Sequence, residues 1–227
     1  MKTICWKLRA GHLIPFLFCL LLLTGCGRTQ PISYYQLTSL EDSQHAFVSP
    51  VTTATVVIGI GPVSLPDYLD RPQLVTRLTP NQLQLSDRHR WAEPLSQNIP
   101  RVLGENLSRL LGTSRILLFP WPSANKPDYQ LLVELLNFEN ENDGTAYLVA
   151  RWTLKDQEGT IVLPERQSRL RIVAWNQEQE GLVTALNEVL ERFCREIVLA
   201  MQPLINKAPR SQLKELTAQP PSPPINR

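Results

Sequence analysis

Residues 129–154 read YQLLVELLNFENENDGTAYLVARWTL, two runs of strand-forming residues around a short polar connection. The two flanks of this stretch, Tyr129–Phe138 and Ala146–Leu154, are rich in residues that favour strands. Between the flanks, the pair Asp143-Gly144 supplies the positive φ that a tight turn requires. The stretch therefore predicts a β-hairpin.

Two further segments extend this hairpin into a sheet. The turn residues Gln157–Gly159 are followed by Gln167–Trp175, in which apolar and polar residues alternate, so a third antiparallel strand is predicted. Upstream, Ala54–Ile60 reads ATVVIGI, which is nearly all apolar and rich in β-branched residues. That composition is typical of a strand buried on both faces.

A first helix is predicted by apolar residues that recur every three or four positions from Leu95 to Leu111. Gly112 follows at the position of a C-terminal cap. Pro100 lies inside the pattern, and a proline within a helix costs about 3 kcal/mol. We therefore expect the helix to bend there or to begin near Asn98.

A second helix is predicted from Leu182 to Met201, where the apolar residues form one stripe and Pro203 ends the pattern. One helix lies between strands and the other follows them, which indicates the α+β class. We predict an antiparallel (mixed) β-sheet packed with two main α-helices, in a single domain of residues 34–206.

The first 25 residues have the organisation of a signal peptide. Three basic residues and no acidic residue precede or flank an apolar run from Leu13 to Leu23. This run is shorter than the roughly 20 apolar residues that span a bilayer as a helix. Residues 1–25 are therefore predicted to be a cleaved signal peptide.

The signal peptide ends in Leu23-Thr24-Gly25-Cys26, which resembles the bacterial lipobox at all four positions. In a lipobox the cysteine thiol receives a diacylglycerol, and cleavage then exposes its amine to a further acyl chain such as palmitate. The resemblance implies that Cys26 carries these lipids, and we expect no other cofactor and no metal. Gly27 stands where an aspartate commonly retains lipoproteins in the inner membrane, which favours the outer membrane with the domain facing the periplasm.

The segments on either side of the domain are polar. Residues 26–33 form a tether that reaches at most about 28 Å when fully extended, so the domain is expected to lie close to its membrane. Residues 207–227 contain five prolines and little apolar periodicity, which predicts a disordered tail.

The charge balance gives no support to a nucleic-acid partner. Lys and Arg number 23 against 21 Asp and Glu, and three of the basic residues lie in the signal peptide. A nucleic-acid-binding domain would be expected to carry a basic patch or stripe. The near-neutral mature chain therefore argues against a nucleic-acid partner.

No catalytic constellation emerges from the sequence. The Cys-x-x-Cys, His-x-x-x-His and Gly-x-Ser-x-Gly patterns are absent. Ser86–His89 contains three residue types of a catalytic triad, but neighbours on one loop rarely point at a common centre, and we interpret the segment as a solvated turn. Cys194 lies in a helical pattern with no histidine nearby and is interpreted as a structural cysteine. We therefore predict that the protein is not an enzyme.

A set of residues at the borders of the predicted strands and helices forms the candidate interaction site. Either these residues are packing anchors, or they form a rim that contacts lipid or protein. The candidates are Tyr34, Tyr35, Leu37, Pro66, Asp67, Tyr68, Leu69, Trp91, Pro94 and Leu95.

The order of these segments resembles the auxiliary lipoproteins of ABC-type and MCE transport systems, the PqiC-like family. The likeness covers residues 20–203 and rests on the lipobox, Tyr34–Leu37, Pro66–Pro72 and Trp91–Leu95. It implies a non-enzymatic outer-membrane lipoprotein that docks to a tunnel-forming MCE protein and works with inner-membrane components to move lipids. Pro100 and the proline-rich tail depart from the family pattern.

Two functional classes remain open. The first is a docking module at the distal mouth of a lipid conduit, which could be a homo-oligomeric ring. The second is a structural or assembly lipoprotein that supports another outer-membrane channel, either a secretin or a lipopolysaccharide translocon. A periplasmic hydrolase is the least favoured alternative, and its activity would depend on His89.

Overall fold

The predicted hairpin forms the centre of an eight-stranded sheet in the computed structural model, which describes residues 31–39 and 56–206. The strands are β1 (Ser33–Tyr35), β2 (Ile58–Ser64), β3 (Gln73–Thr79), β4 (Gln82–Trp91), β5 (Ile116–Leu118), β6 (Tyr129–Glu141), β7 (Thr145–Asp156) and β8 (Ile161–Val173). The helices are α1 (Leu95–Leu111) and α2 (Gln179–Ile205). This arrangement confirms the predicted α+β class, with a mixed sheet and two main helices.

Strand β6 organises the sheet because its two edges have different partners. One edge pairs antiparallel with β7 along nearly its whole length, and β7 pairs antiparallel with β8. The other edge is shared by two parallel strands: β2 pairs with Tyr129–Glu134, and β3 pairs with Asn140 and Glu141. Neither strand pairs with residues 135–139 of β6, so a gap remains between β2 and β3.

An irregularity in β6 changes which side chains face the core. The register with β7 shifts between Leu135 and Asn137, which leaves Leu136 as an extra residue. Because side chains alternate along a strand, one extra residue exchanges the two faces beyond it. Leu135 and Phe138 consequently share the buried face, whereas Glu139 lies on the opposite face.

The core lies between one face of the sheet and both helices. Leu95 of α1 and Leu186 of α2 line the same small cavity as Phe138 of β6. Helix α1 approaches the sheet closely at Gly104, where a Cβ atom would lie 3.0 Å from Leu118 Cδ2. Among the described residues, no helix covers the other face, which carries exposed ion pairs such as Arg151 with Glu134.

The helix boundaries differ from the predictions at both prolines. Helix α1 begins at Leu95 and includes Pro100, so the later start near Asn98 is wrong. Gly112 has φ 64 and confirms the predicted C-terminal cap. Helix α2 includes Pro203 and ends at Ile205, so this proline does not end the helix. Each proline removes only one backbone hydrogen bond, and packing of the apolar face outweighs that loss.

The strand boundaries also differ. Strand β2 begins at Ile58 rather than at residue 54, β6 continues to Glu141, and β8 begins at Ile161 rather than Gln167. β8 is longer than predicted because the whole length of β7 offers hydrogen bonds, and its Pro164 is tolerated in an edge strand. Gly144 and Gly159 have positive φ, which confirms both predicted turns.

The predicted signal peptide, the lipidated Cys26, most of the tether and the proline-rich tail lie outside the described residues. Ser33, the last residue of the predicted tether, already belongs to β1, one residue before the predicted start of the domain. No helix within residues 31–39 and 56–206 is long and apolar enough to cross a bilayer.

Candidate functional site

The first group of candidate residues joins the start of the domain to β4 and α1. β1 pairs parallel with the end of β4, which places Tyr35 opposite Trp91. The Tyr35 hydroxyl lies 3.1 Å from His89 Nδ1. Leu37 is fully buried, and its backbone N–H donates to Asn98 Oδ1 at 2.8 Å while its carbonyl accepts from Asn98 Nδ2. The buried Asn98 of α1 therefore holds the N-terminal segment.

The Trp91–Leu95 segment leads from β4 into the first residue of α1. The Trp91 N–H donates to the Pro72 carbonyl at 2.7 Å, and the side chain is buried. Pro94 precedes the helix and offers no capping side chain. Instead, the Asp70 carboxylate accepts a hydrogen bond from the Ser96 N–H at 3.2 Å, which supplies negative charge at the helix N-terminus.

Residues 65–72 connect β2 to β3 and reach the gap along β6. The Tyr68 hydroxyl donates to Glu139 Oε2 at 3.0 Å and lies 3.4 Å from the Leu136 carbonyl. Leu69 is buried in the core, whereas Asp67 is exposed. The tyrosine therefore supplies polar contacts where β6 has no strand partner.

Glu139 is the centre of a polar group that we call the Glu139 cluster, formed with Tyr68, Arg77 and Asn137. Its side chain is 0% exposed. Arg77 Nε donates to Oε1 at 2.6 Å, and Asn137 Nδ2 donates to the same oxygen at 3.0 Å. The Phe138 backbone N–H donates to Oε2 at 2.8 Å. Together with Tyr68, these groups give the carboxylate four donors.

The electrostatics of the cluster favour a structural role. A buried carboxylate is tolerated when it is paired and hydrogen-bonded, and both conditions are met here. Burial, followed by the charge of Glu139, raises the pKa of Tyr68 to about 12. The Tyr68 hydroxyl therefore stays protonated at neutral pH and remains a donor, so the cluster holds the 65–72 segment in place.

The structure places the predicted site residues in two separate groups. Tyr35, Leu37, Trp91, Pro94 and Leu95 meet where β1, β4 and α1 join, and the segment from Pro66 to Leu69 lies at the gap beside β6. Most of these side chains contact the core, as packing anchors do. Tyr34, Asp67 and Pro94 are exposed, and Tyr34 is the exposed aromatic residue of the set, at 63%.

Sequence reasoning missed Glu139, Arg77 and Asn98 as organising residues. Glu139 lies between the two predicted strand flanks, in the stretch that contains the Asp143-Gly144 turn, so its position predicts a connection rather than a buried strand residue. The one available signal was Asn137-Phe138-Glu139, where the alternation of apolar and polar residues changes phase after Leu135-Leu136. Trp175 was also missed as an exposed residue; its side chain is 73% exposed.

The residues considered for catalysis are engaged in structural contacts. Cys194 is fully buried in α2, and burial raises the pKa of its thiol to about 12, which disfavours a thiolate. The His89 backbone N–H donates to Ser86 Oγ, and its ring lies against Tyr35. Within the described residues, no group of His, Cys, Asp or Glu could hold a metal ion.

One surface groove of about 520 Å³ lies beside the edge strand β5. Ile116, Leu117 and Arg115 form one wall, and the loop 123–126 and Gln157 form the rest. The described residues that line the groove include no Asp, Glu, His or Cys that could act as an acid or base on a substrate. Its place beside a strand edge is more suited to contact with another chain than to chemistry.

Comparison with known proteins agrees with this architecture. Residues 35–198 match the model of the family described as ABC-type transport auxiliary lipoprotein component. The chain is 26% identical over 145 residues to "Intermembrane transport lipoprotein PqiC" from Escherichia coli strain K12, a match that covers 63% of this chain and 74% of that protein. The protein of the same description from Shigella flexneri matches equally well.

Two solved structures share the fold. The crystal structure of an uncharacterized protein has a TM-score of 0.62 at 22% identity, covering 76% of this chain and 99% of that one. Protein XCC0632 from Xanthomonas campestris has a TM-score of 0.60 at 16% identity, covering 73% and 92%. The family match begins at the last residue of β1 and includes every other strand, α1 and most of α2. The chain therefore belongs to the family of ABC-type transport auxiliary lipoprotein components.

Proposed function

We propose that the mature chain is an outer-membrane lipoprotein that faces the periplasm and serves an ABC/MCE-type system for intermembrane lipid transport. In this role it is held by acyl chains on Cys26 and docks to a tunnel-forming MCE partner, with further components in the inner membrane. The observation that carries the proposal is the family match over residues 35–198. The description of the Escherichia coli relative as an intermembrane transport lipoprotein also supports a role in transport between membranes.

The anchor is supported by the Leu23-Thr24-Gly25-Cys26 sequence. A single acyl chain gives only marginal membrane binding, whereas several chains on one cysteine satisfy the requirement for stable attachment. Gly27 supports sorting to the outer membrane. Metabolic labelling with radioactive palmitate tests the anchor: the wild type becomes labelled, and Cys26→Ser does not. Recovery of the labelled wild type in inner-membrane fractions would contradict the outer-membrane assignment.

A docking role rather than catalysis is supported by the state of the reactive side chains. Cys194 is buried with a raised pKa, and His89 is held between Tyr35 and Ser86. The domain instead offers edge strands and exposed apolar residues, which are features of contact surfaces. His89→Ala is therefore expected to leave transport intact, and a complete loss of function in a folded His89→Ala protein would favour the hydrolase alternative.

The partner is tested by purifying the tagged, lipidated chain from detergent-solubilised envelopes after crosslinking. The proposal predicts recovery of an MCE-type protein, with the chain present as a homo-oligomer in native mass spectrometry. Detection of the chain as a monomer would contradict the homo-oligomeric ring. Recovery of a secretin or a lipopolysaccharide translocon without an MCE protein would support the alternative, a structural or assembly lipoprotein for another channel.

A further inference from the structure

One end of the domain carries two exposed apolar side chains. We call it the Trp175 end; it is formed by the β3–β4 turn at Pro80 and Asn81, the β6–β7 turn at 142–144 and the loop 174–178. These three segments lie at one end because β3 runs parallel to β6, with Arg77 opposite Glu141. Val173 and Trp175 are each 73% exposed, the highest exposures among the described large apolar residues.

The loop that carries Trp175 is ordered by hydrogen bonds. The Ala174 N–H donates to the Gly144 carbonyl at 3.0 Å, which ties the loop to the β6–β7 turn. The Asn176 side chain accepts from the Glu178 N–H at 2.9 Å and lies against Gly181, where no Cβ would fit. Tryptophan is highly buried on average, so an ordered loop that points it away from the core suggests an external apolar partner.

The position of β1 brings the start of the domain nearer to the Trp175 end than to the opposite end. β1 runs parallel to β4, which begins at the Trp175 end, so Ser33 is the residue of β1 nearest that end. Tyr34 lies level with Gln73, because both pair with Arg90, so Ser33 lies close to the level of Leu74. Thr79 lies five residues beyond Leu74 along β3, or about 17 Å at 3.3 Å per residue. Residues 26–33 reach at most about 28 Å.

The opposite end is less accessible to the same tether. Leu74 is level with Phe138, because Thr76 pairs with Asn140. The start of β6 at Tyr129 lies eight strand positions before Phe138, since Leu136 is an extra residue and β7 advances by eight residues over the same stretch. At about 3.3 Å per residue this distance is about 26 Å, and the β7–β8 turn extends beyond it. The Trp175 end therefore lies well within the reach of the tether, whereas the tip of the opposite end lies at the limit of that reach.

The charges at the Trp175 end indicate how such a contact is made. Arg171 is engaged by both carboxylate oxygens of Glu141 at 2.7 Å, so it is not free for phosphate groups. Hydrogen bonds from the Thr145 side chain and then from its backbone N–H lower the pKa of Asp143, which stays negative. The end thus has apolar and aromatic side chains without a basic cluster, a composition suited to the interfacial region of a bilayer, where tryptophan is enriched.

We propose that the Trp175 end is a phospholipid-contacting surface, with Val173 and the Trp175 indole seated among the lipid headgroups of the bilayer that holds the anchor. This inference rests on the proposed function, because it requires acylated Cys26. Contact through apolar and aromatic groups is insensitive to salt, in contrast to binding through basic clusters.

The test uses the full lipidated chain in vesicles of phosphatidylethanolamine and phosphatidylglycerol. An environment-sensitive fluorophore is attached at Trp175→Cys, and the matched control is Ile161→Cys, a 58% exposed position at the opposite end. Cys194 is fully buried, so labelling is confined to the introduced cysteine. The emission of the label at position 175 is expected to shift to the blue and to be quenched by lipids with headgroup nitroxides, at both low and high salt. The label at position 161 is expected to show neither change.

A second measurement avoids the introduced cysteine. Brominated lipids are expected to quench part of the tryptophan fluorescence of the wild type; Trp175→Phe loses this quenching and Trp121→Phe retains it. Equal quenching at positions 175 and 161, or unchanged bromolipid quenching in Trp175→Phe, would overturn the inference while leaving the anchor intact. Absence of palmitate on Cys26 in the same sample would overturn the proposed function, and the inference with it.

Discussion

The Glu139 cluster and the Trp175 end differ in how they place side chains that are unusual for their environment. The cluster buries a carboxylate completely and surrounds it with four hydrogen-bond donors from within the chain. The Trp175 end exposes an indole, and its ordered loop offers that indole no place in the core. A buried charge with internal partners indicates a structural device, whereas an exposed aromatic side chain without them indicates an external contact.

Removal of the buried carboxylate should have the largest effect. Glu139→Ala leaves Arg77 and the other donors without their acceptor, and breaking a buried pair costs about 3–5 kcal/mol. Arg77 is 19% exposed and can reach water, so we expect about 3 kcal/mol of lost unfolding free energy in urea titrations. The matched control Glu134→Ala, on the same strand, breaks an exposed pair with Arg151 and should cost less than about 1 kcal/mol. Equal losses in both variants would contradict the structural role of the cluster.

Removal of one donor should have a smaller effect. Tyr68→Phe deletes the hydroxyl that donates to Glu139 and keeps the ring that packs against the core. Because three donors remain on the carboxylate, the expected loss is about 1–2 kcal/mol in the same urea titration. An unchanged midpoint would show that the 3.0 Å contact between Tyr68 and Glu139 adds nothing to stability.

The same substitution makes a prediction about pH. The folded pKa of Tyr68 is about 12, above the ordinary value of 10.0, because burial and Glu139 disfavour the phenolate. A group with a raised pKa contributes stability that is present below its unfolded pKa and is lost as the pH rises through its folded pKa. The difference in stability between wild type and Tyr68→Phe should therefore shrink between pH 10 and pH 12. A constant difference across this window would contradict the assigned protonation state.

The smallest effect on stability is expected at the Trp175 end. Trp175→Ser removes a side chain that is already 73% exposed, so the unfolding free energy should change by less than about 0.5 kcal/mol. Trp91→Ala, at a buried tryptophan, should instead cost about 3–5 kcal/mol. A large loss of unfolding free energy in Trp175→Ser would mean that the indole contributes to packing. The Trp175 end would then have a structural role, as the Glu139 cluster has.

Local sequence patterns predicted the hairpin, the three-stranded meander and both helices. The Asp143-Gly144 turn and the apolar stripes of the helices depend on neighbouring residues, which a sequence displays directly. Pro100 and Pro203 were misjudged because packing against the sheet outweighs the loss of one backbone hydrogen bond.

The sheet order and the Glu139 cluster could not be read from local patterns. β1 has three residues and exists as a strand because it pairs with the end of β4, more than fifty residues away. Glu139 is buried because Leu136 shifts the register of β6 and because β2 and β3 leave a gap that Tyr68 reaches. These causes are long-range, so neither hydrophobic periodicity nor residue propensity reveals them.

The proposed function requires that this family member serve an intermembrane transport system from a lipid anchor at Cys26. The most direct measurement is identification, by crosslinking and mass spectrometry, of the proteins that co-purify with the lipidated wild type and with Cys26→Ser. An MCE-type tunnel protein is expected to co-purify with the wild type, and much less of it with Cys26→Ser. Recovery of a secretin or a lipopolysaccharide translocon, with no MCE protein in either sample, would contradict the proposed function.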